Sequence, residues 1–564
     1  MTQKKSIPDQ GKRDLLKAAA VASVGSLIGA CSGGSSSDSA STSSSNQAPQ
    51  DNASNSIPKN ILVILTDQER NHLHWPANWV STNLPSFARL QKNGLTFSNA
   101  YTSACECAPS RAVMMTGQFS NVNKVGITFP PPGLPTQNQL PSLGAILAQQ
   151  SKHTPVWKGK WHLSYPVNAP NSDASSAWST ADIAYMQTNY GWTRWNPPDA
   201  GTVIPRAGTL AANGGGLANN DGRFISGITS GAQTPNVVGA QSALDFLNNE
   251  ATTLGQPFCL FVSLVNPHDI GAYPAAWQAS GYDLSSFQNM GITLPPNYID
   301  SLTQKPAIQT AYANSCRSAF TLVNNAISNV DALNYVNFYA YLHTAVDQQI
   351  TTLLDTLDKL GLTEDTIIIR TADHGEHGLS HGMTEKSYTA YEEVINIPLV
   401  ISNPKLFPTA QTTDAFYDHQ DFLPTILDLA GVADPNSYGN GVGKSIVPVI
   451  QNPKTATGRD FALFTYDDVF GLPSTENYSH IRAIRQGSWM YAVYFTPNTS
   501  TPQFQYELYD LNLDPYQLTN LLANTANIGA ATRSNWYELH SLLTQNFTTA
   551  NQLPTAFAWP STPS

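Results

Sequence analysis

The segment 107–117 combines residue types that suit chemistry better than packing. Cys107 is followed by Ala-Pro-Ser-Arg, and a Thr-Gly pair begins five residues after Arg111. The Pro-Ser pair favours a loop that turns into a helix near Ser110, with Arg111 in the first turn. Backbone N–H groups and a guanidinium at such a position favour an anion. The segment is therefore predicted to place a reactive sulfur beside an oxyanion site.

Titratable side chains follow four apolar segments that are typical of buried strands. The segments cover residues 60–67, 156–162, 258–265 and 366–371, and the side chains at or just past their ends are Asp67, Lys160, His162, His268, Asp373 and His374. Helices are predicted over residues 85–94, 142–150 and 338–360. Strands that alternate with helices predict an α/β fold with a large, mostly parallel sheet flanked by helices. Polar chemistry is then expected at the carboxyl ends of the strands.

The character of the chain changes after about residue 443. Residues 482–495 are typical of antiparallel strands around a Gln-Gly turn, and residues 527–549 contain a terminal helix. We therefore predict a catalytic domain over residues 58–445 and a smaller C-terminal α+β subdomain over residues 446–564.

On an extended segment, Lys160 and His162 would project to the same side because they are two residues apart.

The composition of the chain argues against a nucleic-acid partner. Of the 564 residues, 41% are hydrophobic and 12% are charged, and the net charge is −11. The apolar content supports a sizeable core. No basic run follows Lys17, so nucleic-acid binding is not expected. Positive charge that holds an anionic substrate must then be concentrated in one cleft.

The N-terminus is predicted to be a targeting segment. Lys12-Arg13 and the leucines that follow resemble a twin-arginine export signal, and the apolar run ends in Leu-Ile-Gly-Ala before Cys31, as in a bacterial lipobox. Residues 1–31 are thus predicted to be a signal peptide with a lipid anchor at Cys31, and residues 32–57 a Ser-rich disordered tether. An ordinary signal peptide with a chance cysteine is the alternative. We expect export by the twin-arginine or general machinery to the periplasmic side of a bacterial membrane or the cell surface.

Five cysteines do not make a disulfide scaffold. Cys259 lies in a strand-like segment and is expected to be a small buried hydrophobe. A Cys259–Cys316 bridge or a Cys105–Cys316 bridge is compatible with an exported protein, and the sequence does not choose between them.

Several segments resemble, in order, those of the type I sulfatases of the alkaline-phosphatase-like superfamily. They are the Cys-Ala-Pro-Ser-Arg motif at Cys107, the Gly-Lys-Trp-His-Leu segment 159–163, Pro267-His268, the Asp-His-Gly-Glu segment 373–376 with Lys386 behind it, and the Tyr-Asp-Leu-Asn-Leu-Asp-Pro segment 509–515. The resemblance extends from about residue 58 to about residue 530. It implies a sulfuric ester hydrolase in which a formylglycine-generating enzyme oxidises Cys107 to formylglycine.

The resemblance also implies a role for each candidate residue. One divalent cation would be held by Asp67, Gln68, the modified Cys107, Asp373 and His374. Positive charge for the sulfate group would come from Arg111, Lys160 and Lys386. His268 would protonate the leaving alcohol, and His162 would deprotonate the hydrated aldehyde to expel sulfate. The substrate would be a sulfated small molecule or glycan.

Gln68 departs from the family pattern, in which the first strand ends in an acidic pair. Its neutral amide makes the site one unit less negative and leaves the ion open, since Ca²⁺ is usual in the family but Mg²⁺ or Mn²⁺ tolerates an imidazole better. Taken singly, Asp67 could be a helix cap and His374 a structural histidine. Two further functions compete: a phosphonate monoester or phosphodiester hydrolase of the same superfamily, and an inactive lipoprotein that binds sulfated glycans.

Overall fold

The structure, a computed structural model, describes residues 58–128, 133–170, 177–201, 220–227, 237–323, 326–468, 472, 478–497 and 502–561. The predicted signal peptide, lipid anchor at Cys31 and tether lie outside the described residues. In the part that is described, no helix is long and apolar enough to span a membrane.

The strands and helices of the described residues are numbered in chain order. The strands are β1 Asn60–Asp67, β2 Gly94–Tyr101, β3 Ala104–Cys105, β4 Thr154–Gly159, β5 Phe258–Pro267, β6 Leu322–Val323, β7 Ala326–Ile327, β8 Thr366–Ala372, β9 Leu399–Ser402, β10 Gln411–Asp418, β11 Phe461–Tyr466, β12 His480–Gln486, β13 Trp489–Phe495 and β14 Phe504–Asp510. The α-helices are α1 Trp79–Asn83, α2 Pro85–Lys92, α3 Cys107–Thr116, α4 Ser120–Asn123, α5 Leu143–Gln150, α6 Thr180–Tyr190, α7 Asn220–Ser226, α8 Ala243–Phe246, α9 Leu284–Phe287, α10 Ala307–Arg317, α11 Asn329–Lys359, α12 Glu392–Ile395, α13 Phe422–Leu429, α14 Val447–Gln451 and α15 Ala530–Thr549.

A seven-stranded sheet in the order β10-β2-β9-β8-β1-β5-β4 forms the centre of the fold. All neighbouring pairs are parallel except those of β9, which runs antiparallel to β2 and to β8. The predicted mostly parallel sheet is therefore confirmed. Four adjacent strands, β8, β1, β5 and β4, end at the same edge, and this edge carries the titratable side chains.

Both faces of the sheet are covered, as the apolar sequence of β1 requires. Ile61, Val63 and Leu65 point into one core, which also contains residues of α5 and α13. Leu62 and Ile64 point into the other core, which is closed mainly by the long helix α11. Alternate side chains of one strand thus anchor two layers of helices.

The smaller C-terminal sheet has the order β14-β13-β12-β11-β3. The predicted hairpin is confirmed by β12 and β13, which pair antiparallel around Gly487. Helix α15 packs Trp536 and Leu543 in one core with residues of this sheet. The edge strand β3 lies just before Cys107 and pairs parallel with β11, so this sheet also supports the start of α3.

Three predicted boundaries are wrong for identifiable reasons. Helix α3 begins at Cys107, not near Ser110, because a proline is tolerated in the first turn, where N–H groups have no intrahelical acceptor. Helix α11 begins at Asn329, not at residue 338, and the Ser328 side chain caps it. Strand β4 ends at Gly159, so the segment that carries Lys160 and His162 is not extended.

The described cysteines are free and buried, so neither of the two bridges that the sequence leaves open forms. The described residues from 58 onward belong to one compact unit, which spans Asn55–Ser564. The predicted domain boundary at residue 446 stays a prediction.

Candidate active site

Four neighbouring strands deliver the predicted side chains to one place. Asp67 ends β1, and Asp373 and His374 directly follow β8 beside it. On the other side of β1, His268 follows β5, and Lys160 follows β4. Each of these side chains is buried. The prediction that they meet at the carboxyl edge of the sheet is therefore confirmed.

Cys107 is the first residue of α3 and lies against this edge. Its Sγ is 3.1 Å from Nε2 of His374 and 3.5 Å from Oδ1 of Asp67. Donor atoms of Asp67, Cys107, Asp373 and His374 all lie within 4.8 Å of one another, and all four residues are buried. We call these four residues the acidic cluster. Two carboxylates, an imidazole and a modifiable side chain fit one divalent cation.

In each of the two carboxylates of the acidic cluster, one oxygen contacts Arg111 and the other faces the rest of the cluster. Oδ2 of Asp67 and Oδ2 of Asp373 accept from Nη2 and Nε of Arg111, at 3.0 and 2.9 Å. Oδ1 of Asp67 faces Cys107 and His374, and Oδ1 of Asp373 is 3.7 Å from Nε2 of His374. Nδ1 of His374 pairs with the carbonyl of Gly375, so the ring turns Nε2 towards the cluster. One oxygen of each acid thus lies on the side of the cluster, and that of Asp373 also accepts from the backbone N–H groups of Gln68 and His374.

Arg111 acts mainly as a clamp on the acids. Besides its two carboxylate contacts, Nη1 donates to the carbonyl of Lys160 at 3.1 Å and to Oγ of Ser263 at 2.8 Å. Four of the five guanidinium N–H groups are therefore used within the described protein. The sequence predicted Arg111 as a ligand for an anion, and this geometry leaves one N–H for that purpose.

Lys160 and Lys386 approach the acidic cluster from two directions. Nζ of Lys160 is 2.6 Å from Oδ2 of Asp67 and also donates to the carbonyl of Gly201. Nζ of Lys386 donates to Oε1 of Gln68 at 2.8 Å and to Oε2 of Glu385 at 3.1 Å. Since an ammonium group has three N–H donors, each lysine keeps one donor beyond these described partners.

Gln68 is brought to the site but has other side-chain partners than the predicted cation. Its Nε2 donates to Glu376 at 2.5 Å and to Glu385 at 3.0 Å, while its Oε1 accepts from Lys386. The backbone N–H of Gln68 donates to Oδ1 of Asp373 at 3.1 Å. The amide therefore links Lys386 to two glutamates, and the backbone orients one acid of the cluster.

His162 and His268 lie on the segments that follow β4 and β5. The backbone N–H of His162 donates to Asp199 at 2.8 Å, and the residue has a φ of +59°. His268 begins a 3-10 turn over His268–Ala272. Burial, and then the charge of Lys160, lowers the pKa of both imidazoles well below the usual value. Both are therefore neutral near pH 7 before a substrate binds.

Burial sets the protonation of the cluster as well. Burial, and then the charge of Asp67, raises the pKa of the Cys107 thiol, so the unmodified side chain is a poor nucleophile near pH 7. The same two causes raise the pKa of Asp373 to about 7. Burial acts on Asp67 in the same direction, but the charges of Lys160 and Arg111 hold the pKa of that carboxyl well below its usual range.

Several supporting residues were not identified from the sequence. Asp199 accepts from the backbone N–H groups of Trp161 and His162, each at 2.8 Å, and thereby fixes the turn after β4. Oγ of Ser110 donates to the carbonyl of Asp373 at 2.6 Å. Ser110 lies in the predicted motif, but Asp199 lies in a segment without periodicity and gave no signal.

The chain is similar to known proteins over most of its length. Residues 375–543 match the family model "N-sulphoglucosamine sulphohydrolase, C-terminal". The chain is 24% identical to the N-acetylglucosamine-6-O-sulfatase of Bacteroides thetaiotaomicron over 515 residues, and 27% identical to the choline-sulfatase of Rhizobium meliloti over 477 residues. Each match covers 82% of this chain and 82% of the relative.

The fold is also shared with a solved protein in complex with its substrate D-glucosamine-2-N,6-O-disulfate. That match has a TM-score of 0.60 and 21% identity, and it covers 88% of this chain and 98% of the other. The family model "Sulfatase" matches residues 59–432, which include the acidic cluster and all the predicted catalytic residues. The chain therefore belongs to the sulfatase family, within the alkaline-phosphatase-like superfamily, and is a sulfuric ester hydrolase.

Proposed function

We propose that this protein hydrolyses a sulfate monoester of a small molecule or carbohydrate, with residue 107, oxidised to formylglycine, as the nucleophile. The observation that carries the proposal is the position of Cys107 at the start of α3, 3.1 Å from His374 and 3.5 Å from Asp67. A buried thiol with a raised pKa gives little nucleophilic reactivity there, whereas a hydrated aldehyde offers two hydroxyl groups.

The acidic cluster would hold one divalent cation, with Ca²⁺ as the first candidate and Mg²⁺ or Mn²⁺ as alternatives. The donor set fits, since one oxygen each of Asp67 and Asp373 and Nε2 of His374 face residue 107. When bound, such an ion supplies positive charge that polarises the sulfate oxygens.

The basic side chains would bind the sulfate group. Lys160, Lys386 and Arg111 each retain one N–H group that has no acceptor among the described residues. A bound sulfate ester presents three terminal oxygens, and three preorganised donors match this number. The remaining donors of these side chains hold the acids and carbonyls that fix their positions.

Asp373 and the two histidines would move the protons. One hydroxyl of the hydrated aldehyde loses its proton to Asp373 and attacks sulfur, the bond from sulfur to the alcohol oxygen breaks, and His268 protonates that oxygen. The second hydroxyl then loses its proton to His162, the aldehyde C=O forms again, and the bond to the sulfate oxygen breaks. A neutral His162 suits the role of base. An anionic ester next to His268 favours its imidazolium form, which the role of acid requires.

Two measurements on purified protein test this proposal. Mass spectrometry of the peptide that contains residue 107 is expected to show formylglycine in active protein and unmodified cysteine in protein produced without the maturation enzyme. Parallel assays with an aryl sulfate and an aryl phosphodiester are expected to favour the sulfate, and Cys107→Ala is expected to abolish that activity. Full activity with an intact Cys107, or a clear preference for the phosphodiester, would refute the assignment.

Export and lipid anchoring at Cys31 are part of the same proposal and rest on the sequence alone. Radiolabelled fatty acid is expected to be incorporated into the wild-type protein and not into Cys31→Ala. Incorporation in both proteins would place the anchor elsewhere.

A further inference from the structure

A small cavity lies next to the chain segments that carry Cys107 and Lys386. Its volume is about 180 Å³, and three of its lining residues directly precede or follow a site residue in the chain. Glu106 precedes Cys107, and Glu385 and Ser387 flank Lys386, while Gly271 lies in the 3-10 turn that His268 begins. The opposite wall comes from α10, the segment after it and α11. An ester whose sulfate lies between Lys386 and residue 107 would direct its alcohol into this cavity.

The lining combines negative charge with aromatic rings. It contains the carboxylate of Glu385 and four rings, Tyr273, Tyr312, Phe320 and Tyr335. Glu106 also lines it, but burial raises the pKa of this acid to about 8, so Glu106 is mostly protonated near pH 7. None of its twelve described lining residues is basic. The rings of Phe320 and Tyr335 are 5.7 Å apart, and that of Tyr273 is 6.2 Å from each. Ring faces and carboxylates together are the groups that recognise an organic cation.

Glu385 is held at the edge of this cavity in an unfavourable backbone conformation. Its φ is +64°, which non-glycine residues rarely adopt. The conformation is maintained because its N–H donates to Glu376 at 2.9 Å and its carbonyl accepts from Nδ1 of His377 at 2.6 Å. The carboxylate lies beside Lys386, and the Glu385 side chain retains 20% exposure. The fold thus places a negative charge between the sulfate-binding lysine and the aromatic rings.

We propose that this cavity binds the alcohol part of the substrate, and that this alcohol carries a positively charged nitrogen, either a protonated amine or a quaternary ammonium. The inference rests on the proposed sulfatase function. The sulfate end would meet Arg111, Lys160 and Lys386, and the cationic end would meet Glu385 and the rings, so the two ends of the site have opposite charge. A sulfated polyanion would instead bring a like charge to Glu385. The volume is below that of sites for drug-sized ligands, which favours a small alcohol.

Two esters that differ only in charge test the proposal. The probes are choline O-sulfate and 3,3-dimethylbutyl sulfate, in which carbon replaces the quaternary nitrogen. With the matured full-length protein, kcat/KM is expected to be at least about tenfold higher for choline O-sulfate, the factor expected for one well-placed cation site. An equal rate for the two esters, or a preference for the neutral one, would overturn the proposal.

Three variants locate the origin of the preference. Glu385→Gln is expected to reduce the ratio of the two kcat/KM values to near one, and the ratio is used because Glu385 also contacts Lys386. Phe320→Leu keeps an apolar side chain but removes a ring face, and it is expected to reduce the ratio by about twofold to fivefold. Glu364→Gln is the matched control, since it removes an acid that lies outside the cavity and is paired with Lys405. A ratio that is unchanged in both Glu385→Gln and Phe320→Leu would refute the site.

The failure of this inference can be separated from the failure of the sulfatase function. Protein that hydrolyses an aryl sulfate but neither small ester would refute the cationic alcohol and leave the function intact. Protein with formylglycine at position 107 that hydrolyses no sulfate ester would refute both.

Discussion

Replacing Arg111 by methionine tests whether its guanidinium holds the two acids of the site together. Arg111 is buried and contacts Asp373 at 2.9 Å and Asp67 at 3.0 Å. Asp67 keeps a second basic partner in the variant, because Nζ of Lys160 lies 2.6 Å from it. Among the described residues, the basic side chain that stays within 4 Å of Asp373 is His374, and burial, followed by the charge of Lys386, lowers the pKa of that imidazole to about 3. Lys160 acts on Asp373 through its charge and makes no direct contact with it. Asp373 is therefore the acid that loses its compensating charge.

The expected loss follows from the cost of breaking a buried ion pair. Removing one partner of such a pair typically destabilises a protein by about 3–5 kcal/mol. Since Lys160 still compensates Asp67, we expect about 3 kcal/mol for Arg111→Met at pH 7 in the presence of a chelator. The same substitution by lysine is expected to cost less, because it keeps the charge but not the planar set of donors.

The loss is expected to grow with pH. An acid whose pKa is raised on folding loses stability as pH rises from its unfolded value to its folded value. In the wild type this loss ends near pH 7, the pKa to which burial and Asp67 raise Asp373. Without Arg111 the pKa rises further, so the variant continues to lose up to about 1.4 kcal/mol per pH unit above pH 7.

Urea unfolding at pH 6 and pH 9 in EDTA measures both effects. The matched control is Arg89→Met, which removes an arginine that pairs with Asp355 and Asp358 at the surface. We expect the control to lose less than about 1 kcal/mol, with no change between the two pH values. An Arg111→Met protein as stable as the control, or equally destabilised at both pH values, would refute the reasoning.

Three further changes probe the supports of the site. Burial lowers the pKa of His377 to about 4, so the wild type loses stability as pH falls below about 6.5, where the unfolded histidine takes up a proton. The glutamine of His377→Gln does not titrate. Chemical denaturation is therefore expected to show that the free energy of unfolding of the variant, relative to the wild type, rises by about 2 kcal/mol between pH 7 and pH 5. A difference that stays constant over this range would contradict the assignment. Asp199→Asn turns an amide towards the N–H of His162, and we expect a loss of about 1–3 kcal/mol and a lower kcat, with KM changed less. Gly117→Ala is expected to lower the free energy of unfolding by at least about 1 kcal/mol, because Gly117 has a φ of +62° and a Cβ there would lie 2.9 Å from Cα of Gly439; thermal unfolding at an unchanged temperature would contradict this.

The strands and their terminal side chains could be predicted because a buried parallel strand has a distinct sequence. Strand β1 is apolar from Ile61 to Leu65 and ends at Asp67, and every residue after its first is buried. The same signal located β8 and β5 and therefore Asp373 and His268. A strand end is a local property, so the sequence contains the information that places these side chains.

The partners of those side chains could not be predicted, because they depend on contacts between distant segments. Asp199 and Gly201 lie in the irregular segment after α6, yet they contact His162 and Lys160. The sequence also gave no indication that Lys386 pairs with Gln68, since the two are far apart in the chain. The cavity wall likewise could not be predicted, because its rings Tyr273, Tyr312, Phe320 and Tyr335 lie far along the chain from Glu106 and Glu385.

Because one oxygen of each acid contacts Arg111 and the other faces the rest of the acidic cluster, the site can form before any cation binds. Two buried carboxylates in contact with the same cation-binding space would repel each other if they were unpaired. Arg111 removes that cost through the outer oxygen of each acid, and Lys160 reinforces it at Asp67. The inner oxygens stay oriented towards residue 107 because the backbone N–H groups of Gln68 and His374 donate to Oδ1 of Asp373 at 3.1 and 2.9 Å. A site preorganised in this way needs little reorganisation energy when the ion and the anionic ester bind. Most N–H groups of its basic side chains hold the acids and carbonyls of the site, and the one N–H group that each retains is left for the sulfate.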